Sequence, residues 1–238
     1  MVHQLKLGDI AVDVVLKDIK NVHLSVYPPT GHVRISAPER MNIETIRLFA
    51  IAKLDWIRQQ QQRQLDQDRE SPREYVDRES HHVWGRRYLL KVVEADAPPS
   101  VQLEHDTLVL TVRLAADVEA KMATLSDWYR QILKAEVRLL LATWEPRLGV
   151  AVNGFFVQQM KTKWGSCNPT SRTIRLNTEL AKKPTECLEY IVLHEMVHLL
   201  ESKHNARFTA LMSQFMPAWE HHRRTLNRLP VGHATWVY

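Results

Sequence analysis

The chain has 238 residues and a net charge of +5, enough for one large domain or two small ones. Hydrophobic residues at 45% and charged residues at 25% are ordinary for a globular protein, and seven glycines with eleven prolines exclude a fibrous or low-complexity chain. His, Glu, Arg or Lys interrupts every apolar run, so no segment suits a bilayer span and no membrane partner is expected. Met1-Val2-His3-Gln4-Leu5-Lys6 lacks the apolar core of a secretory signal, which points to the cytoplasm. Two cysteines, Cys167 and Cys187, make no disulfide framework and should be free thiols there. The pI near 9.2 reads first as a solvated basic surface and second as contact with nucleic acid or another acidic partner.

The first forty residues read as strands. The segment 10–16 is rich in β-branched residues, and 22–27 alternates with period two. Pro28-Pro29-Thr30-Gly31 makes a turn, and 33–36 resumes the alternation as the second arm of a hairpin that Pro38 ends. Asn42 caps one helix whose apolar positions Ile43, Ile46, Phe49, Ala50, Leu54 and Ile57 keep helical spacing. Arg47, Lys53, Arg58 and Arg63 give that helix a basic face, of the kind that is usually just solvated. It runs out into a polar stretch that breaks at Ser71-Pro72. A second β-rich stretch covers about 80 to 114, with strands on either side of Gly85, a turn at Ala97-Pro98-Pro99-Ser100 and a strand at 108–112. From Asp117 the spacing of Leu125, Trp128, Ile132, Leu133, Val137, Leu140, Leu141 and Trp144 predicts a long helix closed by Pro146 and Gly149. Short strands at 155–157 and 173–176 flank Trp164-Gly165-Ser166-Cys167-Asn168-Pro169, and helices at about 184–201, 206–215 and 217–228 follow. No internal repeat is visible. The class is α+β, dividing into a β-rich region at 1–116 with one long helix and a mostly helical domain at 117–238 with a small sheet.

The segment Ile191-Val192-Leu193-His194-Glu195-Met196-Val197-His198-Leu199-Leu200 carries the chemistry. Around it nearly every residue is apolar, so the helix is buried, and buried His and Glu are costly unless bound or paired. His194 and His198 lie one turn apart on one side of the helix and make a chelating pair for zinc. Glu195 sits on the adjoining side, within reach of a water on the metal, and is the expected catalytic base. A core helix with satisfied histidines is the plain competing reading. A catalytic zinc takes three protein ligands and keeps one position open. His204 is the best third ligand, because the helix ends and turns just before it and Asn205 caps the next helix. Glu201, Glu220, His221 and His222 are the rivals.

Trp164-Gly165-Ser166-Cys167, Ile174-Arg175-Leu176-Asn177 and His194-Glu195-x-x-His198-x5-His204 with Phe208 together resemble the YgjP-like metallopeptidases, relatives of the SprT-like and WLM zincins. The resemblance is specific from about 160 to 210. It implies a zincin-like domain, His194, His198 and His204 as ligands of one zinc per chain, and Glu195 as general base. The ligand spacing also matches metzincins, but Glu201 stands where those carry glycine, and Asn205 stands where WLM-type proteins tend to carry an acid. In zincins an edge strand beside the active helix binds the substrate backbone. Thr173 to Asn177 is the expected strand, with Trp164 and Gly165 shaping the approach and Arg175 a candidate substrate contact. Arg172, Arg175, His221 and His222 are candidate oxyanion partners. Cys167 reads as a packing residue rather than a ligand, and Met212 and Met216 as core rather than a floor beneath the zinc. The expected function is a zinc endopeptidase acting on peptides or proteins. A nucleic-acid-associated factor, in which DNA or DNA-bound protein is the partner, is the alternative. A purely structural zinc site ranks last, since no fourth protein ligand is in view.

Overall fold

The computed structural model describes residues 2–27, 30–66, 73–160 and 162–230. Pro28-Pro29 of the expected turn and Ser71-Pro72 of the expected breaker lie outside them. The chain forms two compact units, one holding Met1–Arg69 and one holding Glu70–His233. Strands dominate the first half and helices the second, so the class is α+β as expected.

In the first unit, β1 (Val2–Leu7), β2 (Ile10–Lys17), β3 (His23–Tyr27) and β4 (His32–Pro38) form a sheet in the order β1-β2-β4-β3. The central pair is parallel and the outer pairs are antiparallel. The period of two puts Val12, Val14, Val33, Ile35 and Ala37 on one fully buried face. Ile46 and Ala50 of α1 (Ile43–Ile51) and Ile57 of α2 (Leu54–Asp66) share that core. One helix was expected here. The structure breaks it at Ala52 and Lys53, where Lys53 N bonds to Ala50 O in place of the regular i−4 partner. Apolar spacing runs straight through the break, so periodicity does not reveal it.

The second unit starts with β5 (Ser80–Val83), β6 (Arg86–Glu94), β7 (Ser100–Glu104) and β8 (Thr107–Val112), in the order β5-β6-β8-β7. Again the central pair is parallel and the outer pairs antiparallel. Although the sequence shows no repeat, the two sheets have one topology, and other features repeat with it. Gly8 and Gly85 both take positive φ, 64° and 78°, in the first hairpin turn. Asn42 and Asp117 cap the following helices at the same offset from the buried residues Val33 and Leu108. Asp55-Trp56-Ile57-Arg58-Gln59 in α2 parallels Asp127-Trp128-Tyr129-Arg130-Gln131 in the next helix, with Ile57 and Tyr129 both buried. Outside this Asp-Trp-x-Arg-Gln segment the repeat lies in pattern and topology.

That helix, α3 (Val118–Leu148), buries Leu125, Tyr129, Leu133, Val137, Leu141, Trp144 and Leu148 at three- or four-residue intervals, and Gly149 at φ 65° closes it. Then come β9 (Gly154–Gln158), β10 (Gly165–Asn168), β11 (Thr173–Asn177), a 3-10 turn at Thr178–Lys182, α4 (Thr185–Val197), α5 (Ala206–Phe215) and α6 (Trp219–Arg228). One core runs from Val83, Leu90, Leu108 and Leu110 through α3 to α4. The change of composition at residue 116 thus falls inside the second unit, between a sheet and the helices that share its core. The turn between β5 and β6 abuts the start of α4. Trp84 N and Gly85 N donate to Ala181 O and Lys182 O at 2.9 and 3.3 Å, and a Cβ on Gly85 would lie 2.8 Å from Pro184 Cγ.

Candidate metal centre

Helix α4 is buried nearly all round: Cys187, Leu188, Tyr190, Ile191, Val192, Leu193, Glu195, Met196 and Val197 are all buried. His198 is its C-cap, so the helix stops at the second histidine rather than near residue 201. Leu199 and Leu200 then bond back to Met196 O and Val197 O in a tight turn, which returns the chain toward the helix. Asn205 caps α5 by accepting from Phe208 N at 3.0 Å. His204 lies in this corner, and its Nε2 is 3.0 Å from His194 Nε2.

Donor atoms of His194, His198 and His204 all lie within 4.8 Å of one another. Two nitrogens on a tetrahedral zinc at about 2.0–2.1 Å would stand about 3.3 Å apart, close to the separation found. Burial pushes the His194 pKa down to about 3, helped by the neighbouring charges of His198, His204 and Arg223. Burial also lowers His198, against the pull of the Glu201 carbonyl. Neutral imidazole is the ligating form. His198 Nδ1 meets Glu201 O at 3.1 Å, which assigns its proton to Nδ1 and turns the Nε2 lone pair inward. His194 Nδ1 is buried without a hydrogen-bond partner among the described residues. Neutral nitrogens converging this closely fit a bound cation of the zinc type. Phe208 lies against all three rings, at centroid distances of 4.9, 4.8 and 4.8 Å.

Glu195 is 5% exposed, and burial raises its pKa to about 8 against the opposing charge of Lys163. Gly165 lies directly on it: an added Cβ would stand 2.6 Å from Oε1, 2.9 Å from Cγ and 3.0 Å from Cδ. Strand β10 therefore passes the carboxylate with no room for a side chain. Its sheet runs β10-β11-β9, with β11 central, antiparallel to β10 and parallel to β9. This corrects the expectation for 173–177: that strand is enclosed on both sides, the edges are β10 and β9, and β10 is the edge beside Glu195. Short Gly-Ser-Cys-Asn carries too little apolar alternation to read as a strand.

Gly165 opposes Leu176 and shares the face toward α4, whereas Arg175 opposes Ser166 on the other face. The Arg175 guanidinium lies 5.6 Å from the Phe156 ring, so the structure brings Gly165 to Glu195 and leaves Arg175 apart from it. Trp164 is half-buried against the core, and its carbonyl accepts from Asn177 N at 2.9 Å. Asn177, 5% exposed, escaped the sequence reading as a site residue. Its Nδ2 donates to both Met160 O and Lys163 O at 2.9 Å and fastens the loop ahead of β10.

The rival ligands are engaged elsewhere: Glu201 Oε1 accepts from Lys203 N at 3.1 Å, and Glu220 lies 3.8 Å from Arg224. Burial and then the charge of Glu195 push the Cys167 thiol up to about 11, which keeps it protonated, as a packing residue would be. Met212 and Met216 are buried in the core. His221 is exposed, His222 accepts from Cys187 Sγ at its backbone, and Arg172 Nε donates to Ala151 O at 2.8 Å. Among the described residues the three histidines are the only cluster of possible metal ligands found, and no helix is long and apolar enough to cross a membrane.

A helix that presents two histidines and an intervening glutamate beside a returning third histidine has the layout of a metal-dependent hydrolase centre. The chain belongs to the YgjP-like family: the description "YgjP-like, metallopeptidase domain" matches residues 20–229. It is thus a metallopeptidase family member over most of its length. No curated protein matches it. Two solved structures are similar over part of the chain. The metallopeptidase zymogen of Pyrococcus abyssi abylysin is 22% identical, with 40% of this chain and 99% of that chain covered and a TM-score of 0.35. The zymogen of Methanocaldococcus jannaschii jannalysin is 22% identical, with 40% and 92% covered and a TM-score of 0.32.

Proposed function

We propose that the chain is a zinc-dependent endopeptidase in which His194, His198 and His204 hold one zinc and Glu195 is the general base. The observation that carries this reading is the convergence of three imidazoles, at least two held neutral by burial, beside a buried carboxyl raised to about 8. A zinc ion held there would polarise the scissile carbonyl and lower the pKa of a water. Glu195 takes the proton of that water on a carboxylate oxygen and delivers it to the leaving amine nitrogen. Burial raises this carboxyl above the ordinary carboxylate range, which favours its holding the proton between the two transfers. The edge strand β10 binds the substrate backbone by strand addition, and Gly165 lets it approach the carboxylate. Trp164 and Asn177 hold the loop from which β10 starts.

Replacing Glu195 by Gln tests the assignment. The variant should retain zinc and lose turnover of a quenched fluorescent peptide mixture. Turnover at the wild-type rate would remove Glu195 from the mechanism.

A further inference from the structure

Two cations that pair with no acidic side chain among the described residues flank this site. Lys163 is exposed on the loop ahead of β10, two residues before the glycine that touches Glu195. Its backbone is fixed through Asn177, and its charge is felt at Glu195. Arg223 is exposed on α6. That helix meets α4 through the Trp219 ring, which stacks on Tyr190 at 6.4 Å and 19°. Tyr190 in turn meets His194 edge-on at 5.8 Å. Arg223 follows Trp219 by one turn on the same helix face, and its charge acts on both Tyr190 and His194.

The acids nearby do not neutralise these two. Among the described residues neither cation forms an ion pair: Glu201 turns its Oε1 to Lys203 N, and Glu220 lies against Arg224. The site therefore carries uncompensated positive charge on its β10 side and on its α6 side. We propose that Lys163 and Arg223 select peptides with a side-chain carboxylate next to the bond to be cut, a specificity that rests on the peptidase reading. Complementary charge at such a rim favours the matching substrate and disfavours basic ones. Two isolated cations match a side-chain carboxylate, whereas a nucleic acid backbone is held by a row of phosphate contacts.

Binding tests this apart from cleavage. Zinc-loaded Glu195→Gln protein is titrated with two acetylated, amidated octapeptides that differ only by Glu or Gln at the fourth position. Absence of Glu195-dependent cleavage by the wild type would sink the peptidase reading, while this titration still reports the charge preference. The Glu peptide should bind about tenfold more tightly at low salt, and Lys163→Gln and Arg223→Gln should each shrink that ratio. Lys163→Glu should turn the preference toward the same peptide with Lys at that position, an outcome that lost packing would not produce. Equal or undetectable binding of both peptides, or a ratio unchanged in both Gln variants, overturns the proposal. So does a single-stranded DNA of about 20 nucleotides that binds more tightly than the Glu peptide and loses that affinity in the same variants.

Discussion

Gly165→Ala is the sharpest small change available in the site. A methyl there would lie 2.6 Å from Glu195 Oε1, and ordinary contact begins at about 3.4 Å. The carboxylate must therefore retreat by about 0.4 Å to reach 3.0 Å and by about 0.8 Å to reach ordinary contact. Glu195 is buried, so its side chain has little space in which to retreat. A misplacement of about 1 Å in a reacting group can cost about a hundredfold, so kcat should fall by about tenfold to a hundredfold. Overpacking should cost about 1–3 kcal/mol of stability, too little to unfold a typical domain. The ligands are untouched and zinc content should hold. Gly154→Ala is the control, because its added Cβ meets nothing within 4 Å. Steady-state kinetics on zinc-loaded protein with metal analysis reads both variants. A Gly165→Ala kcat within twofold of wild type, with zinc bound, would refute the claim that β10 positions the base.

Phe208→Ala removes the ring shared by all three histidines. It should lower stability by about 3–5 kcal/mol and weaken zinc binding by about tenfold to a hundredfold, read by thermal unfolding and chelator competition. Burial lowers the folded pKa of His194 to about 3, and burial with the charge of Arg73 also depresses His81, against Glu79. Below about pH 6.5 the unfolded chain then binds more protons than the folded one, and metal-free stability falls as pH drops. The slope is up to about 1.4 kcal/mol per pH unit for each histidine. Glu195, whose raised pKa acts in the opposite sense over this range, is removed in Glu195→Gln, so urea midpoints of that variant in EDTA should be lower at pH 5 than at pH 7. Equal midpoints would contradict the buried, neutral state of these rings.

The histidine cluster was legible because chelation demands fixed spacing on a helix, and because buried polar residues in an apolar helix require a partner. The strands and helices with regular alternation were legible for the same reason of period. What escaped depended on contacts across the chain. The edge role of β10 follows from β9 pairing on the far side of β11, and no local pattern in Gly-Ser-Cys-Asn announces it. Arg175 stood beside the right residues in sequence, but its register against Ser166 turns it away from α4. Asn177 matters through two carbonyls ahead of it in the chain, an arrangement that exists only after the loop folds back. The doubled sheet topology stayed hidden because the two copies share inward-facing positions and caps, while the shared Asp-Trp-x-Arg-Gln lies on the helices and not on the strands.

The zinc content of wild type beside His204→Ala tests the central claim most directly, since His204 is the proposed ligand that only the turn after α4 brings beside His194. Dialysed from excess zinc and measured by elemental mass spectrometry, wild type should carry about one zinc per chain, and His204→Ala should retain far less at the same free zinc. Equal zinc in the two proteins, or none in the wild type, would contradict the three-histidine centre.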